Sequence, residues 1–310
     1  VVTAVQCASA PARILVIKLG ALGDFVQAFP AFAAIRAHHP DAAITLLSTR
    51  PFLELAAASP WFDAIEIDTR PKLFDRRGMD RLRVALRGFD QVYDLQTSNR
   101  SSWYYPLAGR PPWSGIARGA SLLHANPFRN EMHTRTRQRD QLRMAGLPDV
   151  PSPDLNWLAA RGPMIEDDYA LIVPGAAPHR PGKRWAAQGF GRTASVLADR
   201  GVLPVIVGST DDAPLAHVIR EACPEALDLT GKTSLPDLAG LAARASLAIG
   251  NDTGPMHLAA AMGARCVALF SSESDPGLTA PLGMRPGQVT VIRVNDMATL
   301  SVDRVVSALG

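Results

Sequence analysis

The run Asn251-Asp252-Thr253-Gly254-Pro255-Met256-His257 sets a carboxylate, a hydroxyl, a glycine and an imidazole where a short apolar segment, residues 245–250, gives way to a helical one. A strand that turns into a helix leaves free backbone N–H groups and the positive end of the helix dipole at the strand's C-terminal edge, and an anion belongs there. Pro255 suits the first helical turn, where its missing N–H costs nothing, and Gly263 closes the helix. A lone apolar-flanked histidine is ordinarily a core residue, but His257 lies two residues after Pro255, in the first turn, where it can meet a phosphate. Asp252, Thr253, Gly254, Pro255 and His257 are therefore candidate ligands of a phosphorylated molecule.

Three other junctions carry polar groups. The strand-like run Tyr169–Val173 ends in Pro174-Gly175-Ala-Ala177 and then His179-Arg180-Pro-Gly-Lys183-Arg184-Trp185, whose cations either hold a diphosphate or form a solvated basic loop. Trp185 is expected to begin the packing of the next helix. Val207-Gly208-Ser209-Thr210-Asp211-Asp212 offers hydroxyls and carboxylates to a ribose or a base edge, while Thr210 or Asp211 would equally serve to cap a helix near Ala213. Near the start, residues 14–19 run into Gly20-Ala-Leu-Gly23-Asp24, where the two glycines let backbone approach a ligand. The dinucleotide spacing G-x-G-x-x-G is absent and there is no Walker-type lysine loop. Asp24 has two readings, a helix N-cap or a general base at the edge of a cleft; a helix N-terminus lowers a carboxylate's basicity, which suits a base that takes a proton only as a bond forms.

These junctions need a scaffold of parallel strands. Strands are expected at 13–19, 43–48, 64–67, 91–95, 169–173, 202–207, 226–229, 246–249 and 266–270, with helices at 25–38, 53–58, 80–86, 187–199, 213–221, 235–243 and 255–262. Ser234 followed by Asp237 reads as a capping box. The proline-rich stretch 148–153 lacks periodicity and reads as a linker, dividing the chain into α/β domains at 1–150 and 151–310. Ligands of such folds bind at the C-terminal ends of the strands.

Composition bounds the partners. With 47% hydrophobic and 20% charged residues in 310, the chain reads as a soluble globular protein. Its three cysteines, Cys7, Cys223 and Cys266, are too scattered for a disulfide framework or a zinc site, and no spacing of His, Asp or Glu suggests a metal. A reducing, cytoplasmic setting fits. No apolar run is long enough to span a bilayer. Residues 1–155 hold 19 basic against 14 acidic side chains, and 156–310 hold 13 against 15. The excess gathers at Arg70, Lys72, Arg76, Arg77, Arg81, Arg83 and Arg87, and again at Arg129, Arg135, Arg137, Arg139 and Arg143. Each cluster is either a solvated helix face or a surface for an anionic acceptor or membrane. Val1 to Pro11 carry no readable signal and are expected to be disordered.

Three ordered motifs, Gly20-Ala-Leu-Gly23-Asp24, Lys183-Arg184-Trp185 and Asp252-Thr-Gly-Pro-Met-His257, resemble glycosyltransferase family 9, the ADP-heptose:lipopolysaccharide heptosyltransferases, and the likeness runs from Arg13 onward. The resemblance implies an α/β fold of the GT-B type: two Rossmann-like domains with parallel sheets facing across a cleft, the first for the acceptor and the second for the nucleotide-sugar. It implies inverting, metal-independent transfer of heptose from an ADP-sugar to a lipopolysaccharide core or related glycolipid, with no cofactor and no nucleic acid. The expected location is cytoplasmic, peripheral on the inner membrane. By position Asp24 matches the catalytic base, Lys183 the lysine near the donor's phosphates, and Asp252, Thr253, Gly254 and His257 the donor motif. Gly20, Gly23, Gly175, Arg184, Thr210, Asp211 and Pro255 complete the expected donor site. Where the family often has a glutamate for the ribose, this chain has Ser209-Thr210-Asp211, so that contact falls to Asp211 or is lost. Two rivals stand beside this reading: a nucleotide-sugar epimerase of the same fold, and a non-catalytic nucleotide-sugar-binding protein.

Overall fold

The computed structural model describes residues 12–72 and 74–310. The expectation of disorder at Val1 to Pro11, and Cys7 with it, lies outside the described residues. One sheet is built from β1 (Arg13–Ile17), β2 (Ala43–Ser48), β3 (Ala64–Ile67), β4 (Gln91–Asp94), β5 (Trp113–Gly115) and β6 (Leu122–Leu123), in the order β3-β2-β1-β4-β5-β6. The other uses β7 (Tyr169–Val173), β8 (Leu203–Ile206), β9 (Leu227–Asp228), β10 (Leu247–Asn251), β11 (Arg265–Phe270) and β12 (Val289–Arg293), in the order β12-β11-β10-β7-β8-β9. All pairings are parallel. Read from its own first strand, each sheet has the doubly wound order 3-2-1-4-5-6, with a switch point between its first and fourth strands.

The central strands are mostly apolar because helices cover both faces. Every residue of β7 and of β10 is buried. Against β7 and β10 pack Phe190, Ala194 and Leu197 from the helix Ala187–Asp199 and Ile219 from Ala213–Ala222. Burying the larger of these side chains, Phe190, Leu197 and Ile219, contributes about 1.5–3 kcal/mol each. In the first sheet Leu15, Ile17 and Val92 meet Met79, Leu82 and Leu86 of the helix Arg76–Leu86, spaced so that they share one helix face.

The chain forms two compact units. The first holds residues up to Leu19, then Pro30–Asn126 and Gln138–Pro151; the second holds Gly20–Phe29, Pro127–Arg137 and Ser152–Gly310. The last crossing lies in the proline-rich stretch.

The helix expected over 25–38 is two helices, Leu22–Gln27 and Phe29–His38. Pro30 explains the break, since its ring lacks the N–H and clashes with the carbonyl four residues back. Elements that the sequence did not announce are β5, β6 and β12 and the helices Asn99–Leu107, Thr134–Met144, Asn156–Ala159, Pro276–Thr279 and Val302–Ser307. The capping box is formed: Ser234 Oγ accepts from Asp237 N, and Asp237 Oδ2 accepts from Ser234 N at 3.0 Å.

Candidate functional site

The second unit carries a cavity of about 490 Å³, set against the loops that follow β7, β10 and β11. Strands β7 and β10 are neighbours across the switch point, so loops leaving their C-terminal ends diverge and open a crevice. Asn251, the buried last residue of β10, ties the two loops together. Its Oδ1 accepts from Trp185 N at 3.0 Å and its Nδ2 donates to Pro174 O at 2.8 Å. Trp185 is buried as expected, its indole donating to Leu300 O at 3.0 Å. The loop after β7 is thereby held at both ends.

That frame presents Lys183, in the single 3-10 turn Pro181–Lys183, to Asp252. Lys183 Nζ donates to Asp252 Oδ2 at 2.5 Å and Ser274 Oγ donates to the same oxygen at 2.6 Å. The lysine and carboxylate side chains are only 12% and 7% exposed, so the pair is held in low dielectric with its hydrogen bonds made. Asp252 anchors the lysine; it does not stand free.

Thr253 is the N-cap of the helix Gly254–Ala261, and no side chain caps it; Pro255 has no N–H and Met256 N donates to Thr253 O at 3.1 Å, which leaves the Gly254 N–H at the positive end of the helix, beside the cavity. His257, one turn in, is buried, and burial pushes its imidazole down to about 4 despite the nearby Asp252 and Asp24 carboxylates, which pull the other way. The ring is neutral at pH 7.

Asp24 lies in the first turn of the helix Leu22–Gln27, whose N-cap is Ala21. The N-cap reading of Asp24 is therefore corrected. The helix starts earlier because the chain turns as soon as β1 is left, at Gly20, whose φ of 117° favours glycine. Asp24 lines the cavity, and its carboxylate makes no hydrogen bond among the described residues. Gly23 lies hard against the imidazole: a Cβ there would lie 2.7 Å from His257 Cδ2.

Of the residues singled out from sequence, Gly23, Asp24, His179, Arg180, Lys183, Asp252, Thr253, Gly254 and His257 line this one cavity. Gly20, Gly175, Arg184, Thr210, Asp211 and Pro255 do not. Gly20 shapes the turn, and Pro255 starts the helix. Gly175 packs on Asp212, where a Cβ would come within 2.6 Å of Oδ1. Arg184 Nη2 donates to Ala176 O at 2.9 Å. Thr210 and Asp211 stand exposed, and neither caps the helix: Asp212 Oδ2 accepts from both the backbone N–H and the hydroxyl of Ser209 at 2.8 Å, and Asp212 is the N-cap.

Residues that the sequence reading missed complete the wall. Glu273, Ser274, Asp275, Leu278 and Thr279 come from the segment after β11. Its signal was the Ser-Ser-Glu-Ser-Asp-Pro run that follows a buried strand, and Asp275 does cap the short helix Pro276–Thr279 through Gly277 N at 2.9 Å. Gln27, also in the wall, was an amide inside an otherwise apolar helical run.

The chain matches the family model described as glycosyltransferase family 9 (heptosyltransferase) over residues 79–306. It is 27% identical over 311 residues to lipooligosaccharide heptosyltransferase 2 of Haemophilus influenzae, covering 91% of this chain and 88% of that protein. The crystal structure of a family 9 glycosyl transferase from Veillonella parvula superposes with a TM-score of 0.79 at 21% identity, over 97% of each chain. Escherichia coli heptosyltransferase WaaC with ADP does so with a TM-score of 0.78 at 20% identity, over 96% of this chain and 98% of that one. With the two parallel sheets, these likenesses make the fold the GT-B type.

Proposed function

Because the chain belongs to glycosyltransferase family 9, we propose that it moves a heptose from ADP-heptose to a lipopolysaccharide core or related glycolipid, with inversion and without a metal. The observation that carries this reading is the cavity itself, where a carboxylate with no hydrogen-bond partner among the described residues, Asp24, shares one wall system with an anchored ammonium and an uncapped helix N-terminus. The relatives support the choice of substrates: one is named a lipooligosaccharide heptosyltransferase, and the structure of another holds ADP.

In this mechanism the acceptor hydroxyl attacks the anomeric carbon on the face opposite the diphosphate. Its proton passes to the Asp24 carboxylate as the new C–O bond forms. The bond from the anomeric carbon to the β-phosphate oxygen breaks, and ADP leaves with the electron pair. Lys183, the Thr253–Pro255 helix start and the neutral His257 N–H receive the charge that gathers on the leaving group, the work that a divalent cation does elsewhere. The protein acts peripherally at the cytoplasmic face of the inner membrane.

The test is Asp24→Asn. Asparagine keeps size and fold but cannot take the proton, so transfer should fall by about 10²–10⁴ while ADP still binds. Transfer at the wild-type rate by a folded, ADP-binding Asp24→Asn protein would overturn the assignment. In the same assay a chelator should leave wild-type turnover unchanged, and donor alone should yield neither epimer nor free sugar.

A further inference from the structure

His257 is not alone in its corner of the cavity. Gln27, 5% exposed, comes from the helix Leu22–Gln27 and sets its Nε2 3.3 Å from His257 Nδ1 and 3.4 Å from the Thr279 carbonyl oxygen. A carbonyl oxygen only accepts, so the amide atom facing Thr279 must be the nitrogen. That nitrogen also faces the imidazole, where it can only donate. Nδ1 of His257 must then be the unprotonated nitrogen, and the ring proton must sit on Nε2.

The far edge of the ring agrees. Nε2 has no hydrogen-bond partner among the described residues and lies on the Gly23 side, where a Cβ would approach it to 2.9 Å. The charged and titratable groups acting on the ring are Asp252, beside the helix that carries it, Asp24 on the facing helix, Lys183 from the loop after β7, and His133 from the segment Pro127–Arg137. The carboxylates favour a cation and the other two oppose it. Burial decides against the cation. His133 adds no proton of its own to the ring: its Nε2 faces Ala280 O at 3.0 Å and its Nδ1 accepts from Arg135 N at 3.2 Å.

We propose that Gln27 is a positioning residue that locks His257 in the neutral, Nε2-protonated form, so that the ring offers the nucleoside diphosphate a hydrogen-bond donor and not a charge. This rests on the diphosphate reading of the cavity. A donor of fixed direction can follow the charge that builds on the leaving oxygen, and, being neutral, does not trap the product as an imidazolium would.

The closing experiment has two readouts. Histidine-selective 15N spectra of the unliganded protein at pH 7, with His257 assigned by its loss in His257→Asn, should show a protonated Nε2 and a bare Nδ1. A protonated Nδ1 overturns the proposal whether or not any ligand binds. ADP affinity is then measured from pH 6 to 8. Wild type should change over this range only as the ionisation of the terminal phosphate of ADP dictates. Gln27→Leu should lose about tenfold at every pH. Gln27→Glu places an acceptor against Nδ1 and should make the ring titrate within the range, so that its ADP affinity relative to that of wild type falls at least threefold from pH 6 to 8. A Gln27→Glu profile parallel to that of wild type means that Gln27 merely packs, and overturns the proposal. If wild type fails to bind ADP at all while the spectra are as expected, it is the diphosphate reading that fails.

Discussion

Lys183 and Asp252 divide the work of the site in a way that follows from their contact. The ammonium has three N–H bonds and spends one on Asp252 Oδ2, which Ser274 also holds, and the remaining donors have no partner among the described residues at a lysine that lines the cavity. Lys183→Ala removes that charge and leaves a mostly buried carboxylate with only Ser274 beside it. We expect ADP binding and kcat both to fall, each by about tenfold or more, with a loss of stability of about 3–5 kcal/mol in urea unfolding, the cost of breaking a buried pair on one side. Asp252→Asn should keep the Ser274 contact, bind ADP less than tenfold more weakly, and lose mainly kcat as the lysine loses its anchor. Equal ADP affinity and rate in Lys183→Ala would show that the lysine serves only the fold. At this scale the sequence was a good guide where a motif sat at a strand end and a poor one where partners came from afar. Asp252 and Lys183 were both legible; that they pair across 69 positions was not, because only the adjacency of β7 and β10 creates the contact. Gln27 and Ser274 were missed for the same reason.

The elements show a similar division. The long buried strands of both sheets were legible from continuous apolar runs, since a strand covered on both faces has no other way to read. The three residues of β5 were not, for they lie in a Pro- and Gly-rich stretch and are strands only by pairing with β4 and β6. Nor was β12, an edge strand in which just one of five residues is fully buried. Among helices, the start of Leu22–Gln27 matters most for the site, because it fixes both Asp24 and Gly23. Gly23→Ala should push the imidazole of His257 away, as the ring is buried and tied to Gln27 and cannot swing aside cheaply. ADP affinity should drop about tenfold, about 1.4 kcal/mol, while the far-ultraviolet spectrum stays native. Gly23→Ala that binds ADP as wild type does would mean that the helix can slide and that the glycine is not a contact point.

For the whole molecule, charge and apolar exposure fall on the same strap of the first unit. Between Arg70 and Arg87 there are seven basic side chains against two acidic, Asp75 and Asp80. Asp75 caps the helix Arg76–Leu86, and Asp80 pairs with Arg83. At 100° per residue, the buried Gly78, Met79, Leu82 and Leu86 define the inner face, and Val84 falls at the centre of the outer one, with Arg77 and Arg81 to one side of it and Asp80 to the other. Val84 is 78% exposed, and Phe74, just before the helix, is 81% exposed. The second basic cluster is divided, Arg129, Arg135 and Arg137 falling in the second unit and Arg139 and Arg143 in the first. No helix among the described residues is long and apolar enough to cross a membrane. Basic side chains near an anionic leaflet contribute about 1 kcal/mol each, and apolar tips between them add burial in the headgroup layer. The protein should therefore sediment with vesicles that contain anionic lipid and not with purely zwitterionic ones. Raising salt from about 0.05 to about 0.5 M should release most of it, because screening reaches exposed charges first. Replacing Arg76, Arg77 and Arg81 together by Gln should weaken vesicle binding about tenfold or more with ADP affinity unchanged, since the strap and the cavity belong to different units. Binding that ignores both salt and these three arginines would place the membrane contact elsewhere on the molecule.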